Sequence, residues 1–143
     1  FEKAINNANK GAMSLSDQFC VDRHKPHFLD LVKNKLDITF ANEQEMMSLI
    51  DAKNFKDVVN FGKNLKKLVV VTRGEKGAIS INGDEITENS IEKNLNIKDL
   101  TGAGDLFAAG FLHGNLNNLS TSESLNKGRE MSSKVIQQIG ARL

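Results

Sequence analysis

The sequence predicts an α/β fold with a mostly parallel sheet and one antiparallel hairpin. Predicted strands and helices alternate through the first half of the chain, which is the order typical of parallel sheets with helical crossovers. Leu68–Thr72 is a continuous apolar run rich in β-branched residues, as expected for a strand covered on both faces. The segments Ala78–Ile81 and Glu85–Thr87 flank Asn82-Gly83-Asp84, which indicates a tight hairpin turn.

The first 36 residues are predicted to contain a helix end, a strand, a loop and a second helix. Ala4–Lys10 is typical of the last turns of a helix, and a glycine follows it. Ala12–Ser16 alternates apolar and polar residues, which favours a short strand. Asp17–Lys25 is polar and is predicted to be a loop. The next helix is expected to run over residues 26–33 with Pro26 in its first turn.

The remaining elements follow from apolar periodicity. Asp37–Ala41 is predicted to be the second strand, which ends at Asn42. Glu43–Ile50 and Phe55–Asn64 have the spacing of amphipathic helices. After the hairpin and a loop, Gly104–Leu116 and Glu123–Ile139 are predicted to be the last two helices.

Composition narrows the classes of function. The 143 residues suffice for one domain, and 39% hydrophobic with 26% charged residues is ordinary for a globular protein. The net charge of +1 is spread along the chain, so we expect no nucleic-acid partner. No apolar run approaches the roughly 20 residues of a membrane span, so we expect no membrane partner. Cys20 is the one cysteine, which favours the reducing cytoplasm. The sequence does not begin with Met, which suggests a fragment of a longer chain.

The segment Thr101-Gly102-Ala103-Gly104-Asp105 is the strongest chemical signal. Small residues at a helix start leave backbone N–H groups uncovered, and the helix dipole makes that point favourable for phosphate. A carboxylate beside a phosphate site is what phosphoryl transfer to an alcohol requires. The structural alternative is that Asp105 merely caps the helix.

The segment Thr72–Gly77 follows the buried strand and contains two glycines. Gly74 and Gly77 would allow a tight turn and close approach of a ligand to the backbone. An ordinary turn from a strand into a hairpin would explain them equally well. The chain contains neither a Walker A sequence nor the glycine fingerprint of Rossmann dinucleotide sites.

Asn42 and Glu45 follow the second strand and have two interpretations. At this spacing they form a capping box at a helix start. They could also hold a hydrated Mg²⁺, which prefers oxygen ligands and keeps several waters, and the two interpretations are compatible. Because ligands bind beyond the carboxyl ends of parallel strands, we expect this pair to share one site with the two glycine-containing segments.

Together these motifs resemble those of the ribokinase-like (PfkB) carbohydrate and nucleoside kinases. The resemblance rests on Asp99-Leu-Thr-Gly-Ala-Gly-Asp105, Asn42-x-x-Glu45 and Thr72-x-Gly74-x-x-Gly77, in that family's order. Residues 15–24 and 37–43 look most like bacterial adenosine-kinase-like members. The resemblance implies a ribokinase-like, Rossmann-like three-layer fold that lacks its N-terminal part. Residues 1–143 would then be the C-terminal ATP-binding and catalytic part of a single kinase domain.

The resemblance also implies roles for individual residues. Asp105 would be the general base for the acceptor hydroxyl. The transferred phosphoryl group would lie in an anion hole formed by the backbone around Gly102, Ala103 and Gly104. A potassium ion beside this turn is also compatible with the resemblance.

The implied cofactors are ATP and Mg²⁺. Asn42 and Glu45 would organise the metal. ATP would be contacted by the two glycine-containing segments, through Thr72, Gly74, Gly77, Thr101, Gly102 and Gly104. The final helix would supply part of the adenine wall.

The implied activity is transfer of the γ-phosphoryl group of ATP to a primary hydroxyl of a small-molecule nucleoside or sugar. Adenosine is the favoured acceptor, and a ribokinase-type or fructokinase-type sugar acceptor is the alternative. A non-catalytic nucleotide-binding fragment and a ligand-free structural domain are the competing hypotheses. The resemblance is compatible with a homodimer of the full-length protein.

Overall fold

The computed structural model describes residues 2–143 and contains one five-stranded sheet with the strand order β1-β2-β3-β4-β5. The first three strands, which pair in parallel, are β1 (Ala12–Ser14), β2 (Ile38–Asn42) and β3 (Leu68–Thr72). A two-residue turn joins the last two, β4 (Ala78–Asn82) and β5 (Glu85–Asn89). The predicted α/β fold with a mostly parallel sheet is therefore confirmed.

Six α-helices accompany these strands in residues 2–143. Their bounds are α1 Glu2–Ile5, α2 Gln18–Asp30, α3 Glu43–Leu49, α4 Phe55–Leu65, α5 Ala103–Leu116 and α6 Thr121–Val135. A π-helical turn (Leu31–Lys35) continues α2, and a 3₁₀ turn (Gly74–Lys76) precedes β4. None of these helices has the length and apolarity needed to cross a bilayer.

The chain forms two compact units. The first comprises the residues up to Thr72 together with Ser80–Ile86. Its core is built on β2 and β3, in which nearly every residue is buried on one face or the other. Helix α4 packs closely in this unit, because a Cβ on Gly62 would lie 2.9 Å from Ile81 Cγ2.

The second unit comprises Arg73–Ile79 and Thr87–Leu143. Its core lies between α5 and α6, whose backbones approach closely. A Cβ on Gly110 would lie 2.5 Å from the carbonyl oxygen of Lys127, so no larger residue fits there without movement. The largest fully buried side chains of this unit belong to Ile79, Phe111 and Leu125.

The polar segment predicted as a loop over Asp17–Lys25 is helical instead. Asp17 is the N-cap of α2, and its carboxylate accepts a hydrogen bond of 2.6 Å from the Phe19 N–H. The helix kinks at His24, where φ is −123° and ψ is 25°. Pro26 therefore lies in the first turn after the kink, where its missing N–H costs little.

Three predicted helix boundaries were also wrong, one in the first helix and two in the last. The first helix ends at Ile5 rather than Lys10. Helix α6 begins at Thr121, because Ser120 and Glu123 form a capping box that places Glu123 at the third helical position. It ends at Val135, since the next carbonyl, that of Ile136, accepts N–H bonds from residues 98 and 99 instead of continuing the helix.

Candidate active site

The predicted site residues are divided between the two units. Asn42, Glu45 and Thr72 belong to the first unit. The second unit contains Gly74, Gly77 and the whole of Thr101–Asp105. Each group is a local arrangement with its own geometry.

In the second unit, helix α5 starts without a side-chain cap. Gly102 is the N-cap residue, with φ of 79° and ψ of 0°, and no side chain bonds to the helix start. A Cβ at this position would lie 2.8 Å from Ala141 Cβ, so both backbone conformation and space require glycine. The Ala103 N–H donates to the Leu100 carbonyl over 3.2 Å. In the described chain, the N–H groups of Gly104 and Asp105 have no acceptor, so they are available to an anion.

The position of Asp105 excludes the alternative that this residue caps the helix. It is the third residue of α5, and its exposed carboxylate takes no part in a capping interaction. A negative charge in the first turn is stabilised by the helix dipole. The carboxylate is thus free to contact a substrate beside two unpaired backbone N–H groups.

Asp99 fixes the turn that leads into α5. Its Oδ1 accepts bonds from the Thr101 N–H (2.9 Å) and hydroxyl (2.7 Å), and its Oδ2 accepts one from the Gly140 N–H (2.9 Å). The hydroxyl of Thr101, followed by these two N–H groups, lowers the pKa of Asp99 below its usual value. The candidate phosphate-binding turn is therefore anchored to the segment around Gly140.

The loop between β3 and β4 is a compact turn in the second unit. The Arg73 N–H donates to the Gly77 carbonyl over 2.8 Å, and the Gly77 N–H donates to the Gly74 carbonyl over 3.0 Å. Gly77 has φ of 85°, and a Cβ on it would lie 2.0 Å from the carbonyl oxygen of Asn89. Gly74 has φ of 55°, but a Cβ on it would meet no atom within 4 Å. The backbone at Gly74 is therefore open to a ligand.

In the first unit, Asn42 and Glu45 form the predicted capping box. The Glu45 N–H donates to Asn42 Oδ1 (2.8 Å), and the Asn42 N–H and amide donate to the two oxygens of Glu45 (2.9 and 2.7 Å). Glu45 is only 5% exposed. Burial raises the pKa of Glu45, the Asn42 N–H opposes the rise, and the charge of Asp17 adds to it.

Thr72 lies beside this capping box. It pairs with Asn42 in the β2–β3 register, and its hydroxyl donates to the Ala41 carbonyl over 3.5 Å. The structure thus brings together three predicted ligand residues of the first unit. Within residues 2–143, no group of three or more His, Cys, Asp or Glu side chains is arranged to hold a metal ion.

Sequence reasoning assigned no role to Asp99 or Asn89. Asp99 could have been recognised, because an Asp two residues before a Thr often accepts bonds from the following backbone. Asn89 gives no such local signal, since its partner Leu125 is 36 residues away.

Comparison with known proteins identifies the family. Residues 1–143 match the pfkB family of carbohydrate kinases. The chain belongs to this family. The family indicated by the three sequence motifs is therefore confirmed.

Solved structures of longer protein chains share the fold. An adenosine kinase from Sinorhizobium meliloti superposes with a TM-score of 0.90 and 38% identity, over 94% of this chain and 41% of that one. A probable sugar kinase from Rhizobium etli CFN 42 gives a TM-score of 0.92 and 39% identity, over 99% of this chain and 43% of that one. The predicted ribokinase-like fold is confirmed.

A curated relative is named for a substrate other than adenosine. A cytidine kinase from Thermococcus kodakarensis is 35% identical over 112 residues, which are 76% of this chain and 40% of that protein. The chain thus spans about two fifths of the length of this relative.

Proposed function

We propose that this pfkB-family chain is the ATP-binding and phosphoryl-transfer part of a nucleoside or sugar kinase, in which Asp105 is the catalytic base. The observation that supports this most directly is the start of α5. There an exposed carboxylate lies at the third helical position, outside any capping interaction. Two neighbouring N–H groups without acceptors can bind the transferred phosphoryl group.

The transfer needs little covalent chemistry from the protein. The acceptor oxygen forms a bond to the γ-phosphorus of ATP, the bond from that phosphorus to the oxygen bridging to the β-phosphate breaks, and ADP leaves. The acceptor proton passes to the Asp105 carboxylate. This proton transfer occurs late, because an alcohol is a far weaker acid than a carboxylic acid. The N–H groups of Gly104 and Asp105 offset charge on the moving phosphoryl group.

ATP is assigned to the backbone of two segments of the second unit. In the loop before β4, Gly74 leaves its backbone open and Gly77 maintains the turn. At the start of α5, Gly102 and Gly104 keep bulky side chains away from the phosphates. The hydroxyl of Thr101 already donates a hydrogen bond to Asp99. Thr101 therefore contributes to ATP binding through the backbone position that this bond maintains.

Asn42 and Glu45 have the oxygen donors that suit Mg²⁺. The side-chain oxygens of both residues already accept hydrogen bonds within the capping box, and Glu45 is buried. The pair therefore fits a metal that keeps its water shell rather than one stripped of water. Such an ion supplies positive charge that phosphate oxygens can share. Potassium beside the α5 turn stays a prediction.

For the acceptor we propose a nucleoside, with adenosine first. This choice is supported by the resemblance of residues 15–24 and 37–43 to adenosine-kinase-like sequences and by the similarity to the Sinorhizobium meliloti adenosine kinase. A sugar is the alternative, favoured by the similarity to the probable sugar kinase from Rhizobium etli CFN 42.

The test compares Asp105→Asn with Asp84→Asn in the complete protein that contains this chain. Asp84 is a matched control, because it is an exposed aspartate in the β4–β5 turn. We expect Asp105→Asn to lower kcat by at least about 100-fold, as for loss of a general base, while the Kd for ATP stays within about twofold. Asp84→Asn should change neither value.

Phosphorylation is measured with adenosine, cytidine, ribose and fructose as acceptors. Turnover by Asp105→Asn at the unaltered rate would remove this residue from the role of base. Binding of ATP without phosphorylation of any acceptor by the unaltered protein would support the nucleotide-binding module instead. Failure to bind ATP at all would leave a structural domain.

A further inference from the structure

The side-chain amide of Asn89 connects three segments of the second unit. Asn89 is the last residue of β5, and its Oδ1 accepts a hydrogen bond of 3.2 Å from the N–H of Ala78. Its Nδ2 donates a hydrogen bond of 2.9 Å to the carbonyl of Leu125 in α6. The side chain is partly buried, so these bonds are sheltered from water.

Both partners of this amide are themselves fixed. Ala78 directly follows Gly77, the residue that closes the candidate nucleotide loop over residues 73–77. At Gly77 the backbone of that loop touches the backbone of Asn89, since a Cβ there would lie 2.0 Å from the Asn89 carbonyl oxygen. Leu125 is fully buried in α6. A displacement of Asn89 would therefore move the loop relative to α6.

The two bonds require an amide. The oxygen of the group must accept a hydrogen bond from an N–H, and its nitrogen must donate a hydrogen bond to a carbonyl. An aspartate of the same shape keeps the acceptor but places a carboxylate oxygen against the Leu125 carbonyl. An alanine lacks both groups and leaves the Ala78 N–H and Leu125 carbonyl without this partner.

We infer that Asn89 is a positioning residue for nucleotide binding, which holds the loop over residues 73–77 at a set distance from α6. Asn89 acts on ATP only through Ala78 and Leu125. The inference rests on the proposed function, in which that loop contacts ATP. It deepens that function by naming a residue that controls nucleotide affinity without belonging to any of the three sequence motifs.

The test is Asn89→Asp in the complete protein, with Asn126→Asp as the control. Asn126 is an exposed asparagine on α6, so the control makes the same chemical change directly beside Leu125, the residue that Asn89 contacts. We expect Asn89→Asp to raise the Kd for ATP roughly 10-fold, because ATP binding must then restore the loop position at a cost equivalent to about one buried hydrogen bond. At saturating ATP, kcat should stay within about twofold, since Asp105 and the α5 turn are unchanged. Asn126→Asp should leave both values unchanged.

Asn89→Ala is the second variant, in case the carboxylate prevents folding. All measurements are made at a temperature at which circular dichroism shows the variants folded. An unchanged Kd for ATP in a folded Asn89 variant, with normal binding by the unaltered protein, would overturn this inference alone. An equal fall in kcat and rise in Kd would also overturn it, because a general loss of structure predicts that pattern. No ATP binding by the unaltered protein would contradict the proposed function itself.

Discussion

Substitution of Gly77 by alanine should be among the most destabilising changes in the second unit. The residue has φ of 85° and ψ of −139°, a conformation that side-chain-bearing residues adopt only with strain of about 1–3 kcal/mol. The added Cβ would also lie 2.0 Å from the Asn89 carbonyl oxygen. Relieving such an overlap requires backbone movement, which costs roughly 1–3 kcal/mol. We therefore expect a loss of about 4 kcal/mol in the free energy of unfolding.

Gly74→Ala and Gly83→Ala separate the two contributions. Both residues have positive φ, 55° and 59°, but a Cβ on either would meet nothing within 4 Å. Each substitution should therefore cost only the conformational strain, about 1 kcal/mol. Because the methyl group of Gly74→Ala would project into the space assigned to ATP, this variant should also bind ATP more weakly. Gly83→Ala, in the hairpin turn, should not.

The measurement is urea unfolding of the four proteins, followed by fluorescence of a bound dye or by circular dichroism, since the chain has no tryptophan. ATP affinity is measured on the same samples. A loss for Gly77→Ala within about 0.5 kcal/mol of that for Gly74→Ala would refute the reasoning, because the contact with Asn89 would then carry no energy.

Two further predictions concern stability. In the described chain, Ser124 Oγ is buried without a hydrogen-bond partner. Ser124→Ala should therefore leave the free energy of unfolding unchanged or raise it by up to about 1 kcal/mol. A clear loss of stability in urea unfolding would contradict this, because it would show that the hydroxyl has a partner. The pKa of Asp99 is lowered in the folded protein, chiefly by the Thr101 hydroxyl. The contribution of Asp99 to stability is therefore present above the usual pKa of 3.8 and is lost as the pH falls below that value. Asp99→Asn should therefore reduce the acid-induced loss of stability in pH-dependent unfolding, and an unchanged acid limb would contradict this.

The elements that the sequence predicted well are those whose pattern is local. Leu68–Thr72 is a strand with the predicted bounds, and the helix predicted from Phe55 begins there. The first part of helix α2, before Pro26, was missed because only Val21 of its 13 residues is fully buried, and because the helix contains a kink and a proline. Its stability depends on packing against the rest of the unit, which a local pattern does not report.

For the candidate site, the sequence predicted the motif residues but not what holds them. The capping box of Asn42 and Glu45 was recognisable from spacing, and the structure has it. The bonds from Asp99 to Gly140 and from Asn89 to Leu125 span 41 and 36 residues. Contacts over such separations leave no periodic trace in one sequence. Whether the three motifs act on one ATP stays a prediction.

The bonds around Asp99 have a practical consequence for work with this protein. The turn before α5 touches Gly140 and Ala141. A bulky label or a cross-link attached at either of these two residues would strain the same backbone that shapes the candidate phosphate-binding turn. Labels should therefore be attached elsewhere, or a disturbed turn will be mistaken for an intrinsic lack of ATP binding.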